Sequence, residues 1–504
     1  MGQPRETESA QREIRNRDSA THVLLLSLPC CYKPQPYSID RHVQFGRKRH
    51  KKPATGVMPR VRLLPLIAAT YFMVSGGPYG LEDVVGQAGY GRALLLLCIV
   101  PILWSLPTAL MIGELASALP EEGGFYIWVS RALGPFWGFQ EAWLSLIASI
   151  FDMAIYPALV VAYLSQLNPA LTSGHRGIAW SLAIVGLCVA WNLRGAYSVG
   201  QGSLALLAML LTPFLAVVLF GLISIPILHV VGPAHRVADF SPLRQGSMTT
   251  ALLFVLWNYM GWDNASTIAQ EVHDPQRNYI RAMLGAVLVV SASYVLPVAA
   301  IAAAGIPAST FVTGAWGVAA RNLASPLLGL RFAAWLGFAL VIGGVITGIA
   351  MFNALMLSYA RIPAAMADDR LLPRVLARRM KNGVPWVAVL ACAVAWALAL
   401  GIDLTRLLEL DILLYGSSLI LEFIALFLLR VREPKLARPY RVPGDRWAAL
   451  LLGLPPSLLI FFTIWAARGD RLNSHVPAIA LGGILIAMGP LCYGLLRKSK
   501  LLPE

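Results

Sequence analysis

The sequence contains little charge for its length. Of its 504 residues, 13% are Asp, Glu, Lys or Arg, whereas soluble globular domains carry roughly 25%. Hydrophobic residues make up 57% of the chain, and the mean hydropathy is +0.64. This composition excludes an ordinary soluble enzyme and indicates a protein that lies largely within a membrane.

Cysteine is scarce as well, and the motifs of common catalytic centres are missing. None of the cysteines forms a C-x-x-C pair, and no G-x-S-x-G, H-E-x-x-H or phosphate-binding loop occurs in the sequence. Four cysteines lie in apolar segments, where they are expected to behave as small buried hydrophobes. We therefore expect no enzymatic activity, no metal centre, no cofactor and no disulfide framework. The six cysteines are Cys30, Cys31, Cys98, Cys188, Cys392 and Cys492.

Long apolar segments follow one another along most of the chain. Each is about as long as the roughly 20 residues that a helix needs to cross a bilayer. The sequence thus predicts an all-α membrane protein with twelve transmembrane helices. They fall near residues 63–91, 93–119, 135–166, 176–194, 198–230, 247–270, 280–303, 329–359, 385–402, 405–429, 447–466 and 474–496.

The basic residues, which give a net charge of +15, predict the orientation of these helices. They concentrate before the first span and in the loops RIPAAMADDRLLPRVLARRMKNG and RVREPKLARPYRVPGDR, which alternate crossing assigns to one side. The positive-inside rule therefore places both termini in the cytoplasm, and the plasma membrane is the expected location. Topology explains the positive charge, so we expect no nucleic-acid partner. We predict a disordered basic tail at 1–58, a ten-helix core at 59–430, and helices 11 and 12 with a short tail at 431–504.

Two of the predicted spans contain residues that interrupt a helix. SGGPYG begins at Ser75 in span 1, and WNYMGWDNAS begins at Trp257 in span 6. Irregular backbone at membrane depth is tolerated only where it is buried in protein or lines a cavity. Because the interruptions lie five spans apart, they predict a five-plus-five inverted repeat with discontinuous helices 1 and 6. In span 1, proline is favoured in a first helical turn, so the second half-helix is expected to begin near Pro78.

Polar side chains recur at helical spacing in spans 3 and 10. Such intramembrane carboxylates usually face a cavity or a partner, so Asp152 is a candidate for binding a cation or, alternatively, a member of a buried structural pair. Glu422 is a candidate proton carrier or a second amine site. The stripes, each at i, i+4, i+7 and i+11, are Ser145, Ser149, Asp152 and Tyr156, and Asp411, Tyr415, Ser418 and Glu422.

Aromatic residues surround the interruption in span 6. The ring of Trp257 can hold an ammonium group by cation–π attraction. Asp263 can add negative charge or cap the second half-helix. Glu82 and Asp83 in span 1 point about 100° apart on a helix, so at most one is expected to face the centre. Glu271 is expected to pair with Arg277 or Arg281.

Five further passages are informative together because of their order and spacing. They are VSGGPYGLEDVVGQAG, LWSLPTALMIGELASALPEEGGFYIWVSRALGPFWGFQ, LWNYMGWDNASTIAQEVHDPQRN, RIPAAMADDRLLPR through NGVPW, and LEFIALFLLRVREPKLARPYRVP. These passages resemble the amino acid–polyamine–organocation superfamily, most closely its L-type amino acid and polyamine-uptake branch. The resemblance implies the inverted-repeat fold, with substrate held between spans 1, 3, 6, 8 and 10, and transport by proton coupling or exchange. Some amino acid carriers of this group have a lysine early in span 5, where NLRGAYSVG offers Tyr197.

We predict a secondary transporter that takes up polyamines together with protons, or alternatively an amino acid permease. Its expected partners are a small organic cation or amino acid, protons and the lipid bilayer, without a disulfide-linked accessory chain. The predicted substrate-binding residues are Ser75, Gly76, Gly77, Asp152, Tyr156, Trp257, Tyr259, Gly261, Asp263 and Tyr415. The candidates for proton coupling are Glu422, Asp152 and Glu82.

Overall fold

The part of the chain that the structure describes is mostly helical. This computed structural model describes residues 60–231, 240, 246–402, 404–467 and 478–498. Within these ranges the sole β feature is an isolated parallel bridge between Val61 and Val272. The predicted tail at 1–58 lies outside the described residues.

The helices follow the apolar segments of the sequence. Those that precede the second interruption are α1 Leu63–Val74, α2 Leu81–Val100, α3 Leu106–Ala118, α4 Phe125–Leu133, α5 Pro135–Leu167, α6 Arg176–Asn192, α7 Ala196–Val231 and α8 Met248–Asn258. After the 3-10 helix Trp262–Glu271 come α9 Pro275–Ala303, α10 Trp316–Tyr359, α11 Arg361–Asp368, α12 Trp386–Ala397, α13 Leu404–Arg432, α14 Arg446–Ala467 and α15 Ala478–Lys498.

Eight helical stretches in the described ranges are long and apolar enough to cross a membrane. Three shorter apolar helices, α1, α6 and α12, lie where predicted spans 1, 4 and 9 were placed. The protein is therefore a multi-pass membrane protein, while twelve spans and the inverted repeat remain predictions. The eight stretches are Leu81–Ala118, Pro135–Leu167, Ala196–Ile223, Pro275–Ala303, Trp316–Asp368, Arg406–Arg432, Arg446–Trp465 and Ile479–Arg497.

The first predicted interruption separates α1 from α2. Ser75 has extended backbone angles, and Gly77 and Gly80 have positive φ values of 73° and 91°. The prediction that the second half-helix begins near Pro78 is wrong, because α2 begins at Leu81. The left-handed conformation of Gly80 delays the start, and the Gly80 N–H donates to the Glu82 carboxylate at 2.7 Å.

The second predicted interruption follows α8. Gly261 has a φ of 87°, and the chain then continues as a 3-10 helix. A Cβ atom on Gly261 would collide with the carbonyl oxygen of Met73 at the end of α1, so the two interruptions lie against each other. Helices α10 and α13 pack against this junction, and α5 packs against both of them. The fold thus brings two segments of irregular backbone together inside a helical bundle.

Candidate functional site

Asp152 is the centre of a buried group of hydrogen-bond donors. On its own helix, α5, the Tyr156 hydroxyl donates to Oδ1 at 2.6 Å. From α8, Trp257 Nε1 approaches the same oxygen at 3.4 Å, and from α10 the Tyr359 hydroxyl donates to Oδ2 at 3.3 Å. Three helices therefore converge on one carboxyl group, as expected for a ligand site rather than for a carboxylate paired with arginine.

Aromatic rings close this carboxyl group off from solvent. The rings of Tyr156 and Trp257 stack with their centroids 6.2 Å apart and their planes 25° from parallel. Asp152, Tyr156 and Trp257 are only 5%, 3% and 7% exposed. A Cβ atom on Gly80 would lie 3.3 Å from the Trp257 ring, so the first interruption packs directly on this aromatic cover. The rings lie where they could hold an ammonium group over their faces.

Asp263 lies next to the second interruption and is bound to α13. The Tyr415 hydroxyl donates to Asp263 Oδ1 at 2.5 Å and accepts from the Gly261 N–H at 3.0 Å. One hydroxyl therefore fixes both the irregular backbone and the first acidic side chain after it. Asp263 also lies in the first turn of the 3-10 helix, where a carboxylate favours the helix start.

Five buried carboxyl groups form a continuous series through the bundle. Each is at most 5% exposed. Asp411 lies close enough to interact electrostatically with both Asp152 and Asp263, and Glu422 does so with Asp263 and Glu141. None of the ion pairs among the described residues involves these groups. The series is Asp152, Asp411, Asp263, Glu422 and Glu141.

The predicted binding segment Ser75–Gly77 is held by its own side chains and by α10. Ser75 Oγ accepts from the Gly77 N–H at 2.9 Å, and Thr347 donates to the Gly76 carbonyl at 3.1 Å. A Cβ atom on Gly77 would lie 3.1 Å from Leu210 of α7. The placement of Tyr197 near this segment was wrong, because α7 meets the segment at Leu210, thirteen residues further along the helix. An apolar side chain occupies that place, so α7 offers no cation there.

Glu82 and Asp83 both bind the loop that precedes α10. Glu82 accepts hydrogen bonds from the Tyr163 hydroxyl and, at 3.2 Å, from the Gly314 N–H. Asp83 accepts from the Thr313 hydroxyl at 2.8 Å. Both carboxylates therefore anchor the α2 terminus to one loop. Glu82 accepts several hydrogen bonds, as Asp152 does, whereas neither carboxyl oxygen of Glu422 has a partner among the described residues.

Three further placements differ from the predicted site. Tyr259 faces away from Asp152, since its hydroxyl donates to the Leu97 carbonyl of α2 at 2.9 Å. Tyr359 was not singled out because it is one tyrosine in an apolar segment, ALMLSYA, that has no polar stripe. Glu141 was missed because it lies at the start of a span, where charge is ordinary. Its spacing of eleven residues from Asp152 was the available signal.

Comparison with known proteins decides the family. The family model described as amino acid permease matches residues 67–488, which is most of the chain and includes both interruptions and all five buried carboxyl groups. The chain belongs to the amino acid permease family. The resemblance drawn from the sequence is thereby confirmed, and the permease is a membrane transporter rather than an enzyme.

The permease is similar to several curated transporters over most of its length. A probable polyamine transporter of Arabidopsis thaliana is 34% identical over 81% of this chain and 79% of the relative. A polyamine transporter of Oryza sativa subsp. japonica is 33% identical over 86% of this chain and 79% of the relative. A serine/threonine exchanger of Bacillus subtilis is 26% identical over 86% of this chain and 94% of the relative.

Ion pairs close the end of the permease that carries Arg361, Arg379 and Arg430, here called the basic end. Arg361, at the start of α11, donates from Nε to Glu271 at 2.8 Å. The predicted pairing of Glu271 with Arg277 or Arg281 was therefore wrong, because Arg361 is buried beside it, whereas Arg277 and Arg281 lie on the exposed side of α9. The 3-10 helix that follows the second interruption is thus fastened to α11.

Two further arginines form ion pairs at the basic end. Arg379 bridges Glu122 at 3.0 Å and Asp368 at 2.7 Å. Buried Glu114 of α3 pairs with Arg430 of α13 at 2.5 Å. The pairs of Arg379 with Glu122 and of Arg430 with Glu114 connect elements distant in sequence. They therefore make the basic end a candidate gate between the central site and one side of the membrane.

Proposed function

We propose that this permease takes up polyamines across the plasma membrane together with protons, with both termini in the cytoplasm. The observation that carries the proposal is the series of five buried carboxyl groups without a basic partner among the described residues. A polyamine presents several ammonium groups and no carboxylate, so it complements this charge. The names of the plant relatives support the same substrate class.

The aromatic cover and the carboxyl group beneath it are the proposed first amine site. Asp152 supplies the negative charge, and Tyr156 and Trp257 supply ring faces that exclude water. Because charge–charge attraction strengthens as the local dielectric falls, closing these rings over an ammonium group increases its affinity. Ser75, Gly76 and Gly77 would line the opposite wall through their backbone.

The proton is proposed to bind one of the buried carboxyl groups. Glu422 is fully buried, and neither of its carboxyl oxygens has a hydrogen-bond partner among the described residues. Burying an uncompensated charge is costly, so binding a proton should stabilise Glu422 more than the other carboxyl groups. Asp152 and Glu82 remain alternatives, although each already accepts several hydrogen bonds.

The function is tested by flux through the purified protein. Uptake of labelled putrescine and spermidine into proteoliposomes should rise when an inward proton gradient is imposed, and collapse of the gradient by a protonophore should remove the rise. A protein that takes up neither amine under any gradient would contradict the proposal.

Replacing Asp152 by Asn tests the first amine site. The substitution preserves shape and removes charge, so we expect KM for putrescine to rise about tenfold, equivalent to roughly 1.4 kcal/mol of binding free energy. Glu121→Gln is the matched control, because Glu121 is exposed at a loop. An unchanged KM in a folded Asp152→Asn protein would exclude the role.

An amino acid substrate is the second candidate, favoured by the similarity to the serine/threonine exchanger. The irregular backbone that precedes α2 could then bind a carboxylate, since N–H groups at a helix N-terminus attract anions. The Gly77 N–H would exchange its bond to Ser75 Oγ for one to the substrate. Competition decides between the two. Neutral or cationic amino acids should leave labelled putrescine uptake unchanged if polyamines are the substrate, whereas strong inhibition would favour the amino acid permease.

A further inference from the structure

Helices α5 and α13 carry two matched pairs of acidic residues. The helices pack side by side, and electrostatic contact joins Asp152 to Asp411 and Glu141 to Glu422. Residues 141 and 152 are eleven positions apart on α5, and residues 411 and 422 are eleven apart on α13. At a rise of 1.5 Å per residue, each separation is about 16 Å. The second pair therefore repeats the first about three helical turns away, towards the basic end.

The second pair has unused hydrogen-bonding capacity although it is completely buried. Glu141 and Glu422 are 0% exposed. Both oxygens of Glu422 and Oε2 of Glu141 have no hydrogen-bond partner among the described residues. Glu141 Oε1 accepts only a long bond of 3.4 Å from Ser145. Carboxyl oxygens buried in this way are costly unless a cation or a proton is present.

From the length of this series and the unpartnered oxygens, we propose that Glu141 and Glu422 form a second ammonium-binding subsite, which holds the far end of long polyamines. The proposal rests on the proposed function and specifies its substrate class. Putrescine is much shorter than the distance between the pairs, whereas extended spermine is comparable to it. The subsite therefore makes the permease selective for chain length.

The groups between the two pairs suit the middle of such a substrate. Asp263 interacts electrostatically with Asp152, Asp411, Glu141 and Glu422, so it lies within the series rather than at its end. The Tyr415 hydroxyl is bound to Asp263. An internal ammonium group of spermidine or spermine would meet this carboxylate between the two terminal subsites.

The charge balance of the second pair also connects it with proton coupling. Two carboxylates and one ammonium group leave one negative charge, which one proton neutralises. The groups that face this pair are Ser145 from α5, Ser418 and Tyr415 from α13, and Asp263 from the 3-10 helix. No Lys or Arg forms an ion pair with it in the described part of the chain. A proton that enters with the amine therefore completes the neutralisation.

The test is a chain-length series measured on the full-length protein in proteoliposomes. KM is determined for putrescine, spermidine and spermine with Glu141→Gln, Glu422→Gln and the exposed control Glu121→Gln. We expect either buried substitution to raise KM for spermine about tenfold, or roughly 1.4 kcal/mol. Glu141→Gln should leave KM for putrescine within about twofold. Glu422→Gln should also lower the proton-driven uptake rate of all three amines, because Glu422 is the proposed proton carrier. Asp152→Asn should raise KM for all three amines.

Glu422→Asp and Glu141→Asp keep the negative charge, so they distinguish the loss of charge from a disturbance of the structure. They should retain part of the preference for spermine, and spermine should still raise their thermal unfolding temperature. Equal loss of putrescine and spermine affinity in the Gln variants, or an unchanged preference, would overturn the subsite. Absence of any polyamine uptake by the unaltered protein would instead overturn the proposed function.

Discussion

At the residue scale, Trp257 has two distinct contacts that can be separated by substitution. Its Nε1–H approaches Asp152 at 3.4 Å, and its ring stacks on Tyr156. A desolvated cation over an aromatic face gains on the order of 2 kcal/mol. The ring, more than the long hydrogen bond, should therefore determine how well an ammonium group is held.

Trp257→Phe should change KM for putrescine only a few-fold, because a ring face remains. Trp257→Ala should raise it about thirtyfold, because it removes a ring attraction of roughly 2 kcal/mol and opens the site to water. Trp335→Ala is the control, because Trp335 is 73% exposed on α10. A Trp257→Ala protein with normal KM would show that the ring does not contact substrate.

The positions of site residues could be predicted from the sequence where polar residues repeat at helical spacing. The stripes on α5 and α13 placed Asp152, Tyr156 and Tyr415 at the centre. The spacing of residues along one helix does not show which side chains another helix contributes to the same site. Tyr359, which α10 contributes, was missed for this reason. Glu141 required knowing which face of α5 meets α13, which only packing determines.

At the element scale, the two interruptions depend on glycines that have no room for a side chain. Gly261 combines a φ of 87° with close approach to the Met73 carbonyl. The position of each interruption could be predicted from glycine and proline alone. The start of α2 at Leu81 could not, because it depends on the Glu82 carboxylate accepting from the Gly80 N–H.

Gly261→Ala should destabilise the junction between the interruptions. The left-handed conformation alone costs about 1–2 kcal/mol for a residue with a Cβ atom, and Met73 must also move. We expect a lower unfolding temperature and strongly reduced uptake. Gly186→Ala is the control, because this exposed glycine of α6 has open space around its Cβ position. Equal behaviour of the two variants would contradict the proposed packing.

At the scale of the whole molecule, the basic end joins elements that are distant in sequence. Glu271 ends the 3-10 helix, and its partner Arg361 begins α11. Glu271→Gln removes the charge that neutralises the buried Arg361, so it should cost at least the roughly 1 kcal/mol of an exposed pair. Such a change shifts an open–closed equilibrium at least about fivefold.

Glu271→Gln should therefore increase opening at the basic end. Ser358→Cys provides the readout, because Ser358 is completely buried between α10 and the 3-10 helix, where its hydroxyl donates to Asn264. Labelling is measured at position 358 by peptide mass spectrometry, because the chain has native cysteines of which Cys98 is exposed. We expect faster labelling there in the double variant than in Ser358→Cys alone. Glu433→Gln, which breaks the more exposed pair with Arg131, should leave the rate unchanged. Equal labelling in all three proteins would exclude Glu271 from the gate.

The series of five buried carboxyl groups also has an electrical consequence. A cationic cargo would largely neutralise them, so the loaded carrier would cross the membrane field with little net charge. The empty carrier would retain whatever negative charge protons do not balance, and moving each such charge through 100 mV involves about 2.3 kcal/mol. Membrane voltage would then act mainly on the return of the empty protein, making that step the electrogenic part of the cycle.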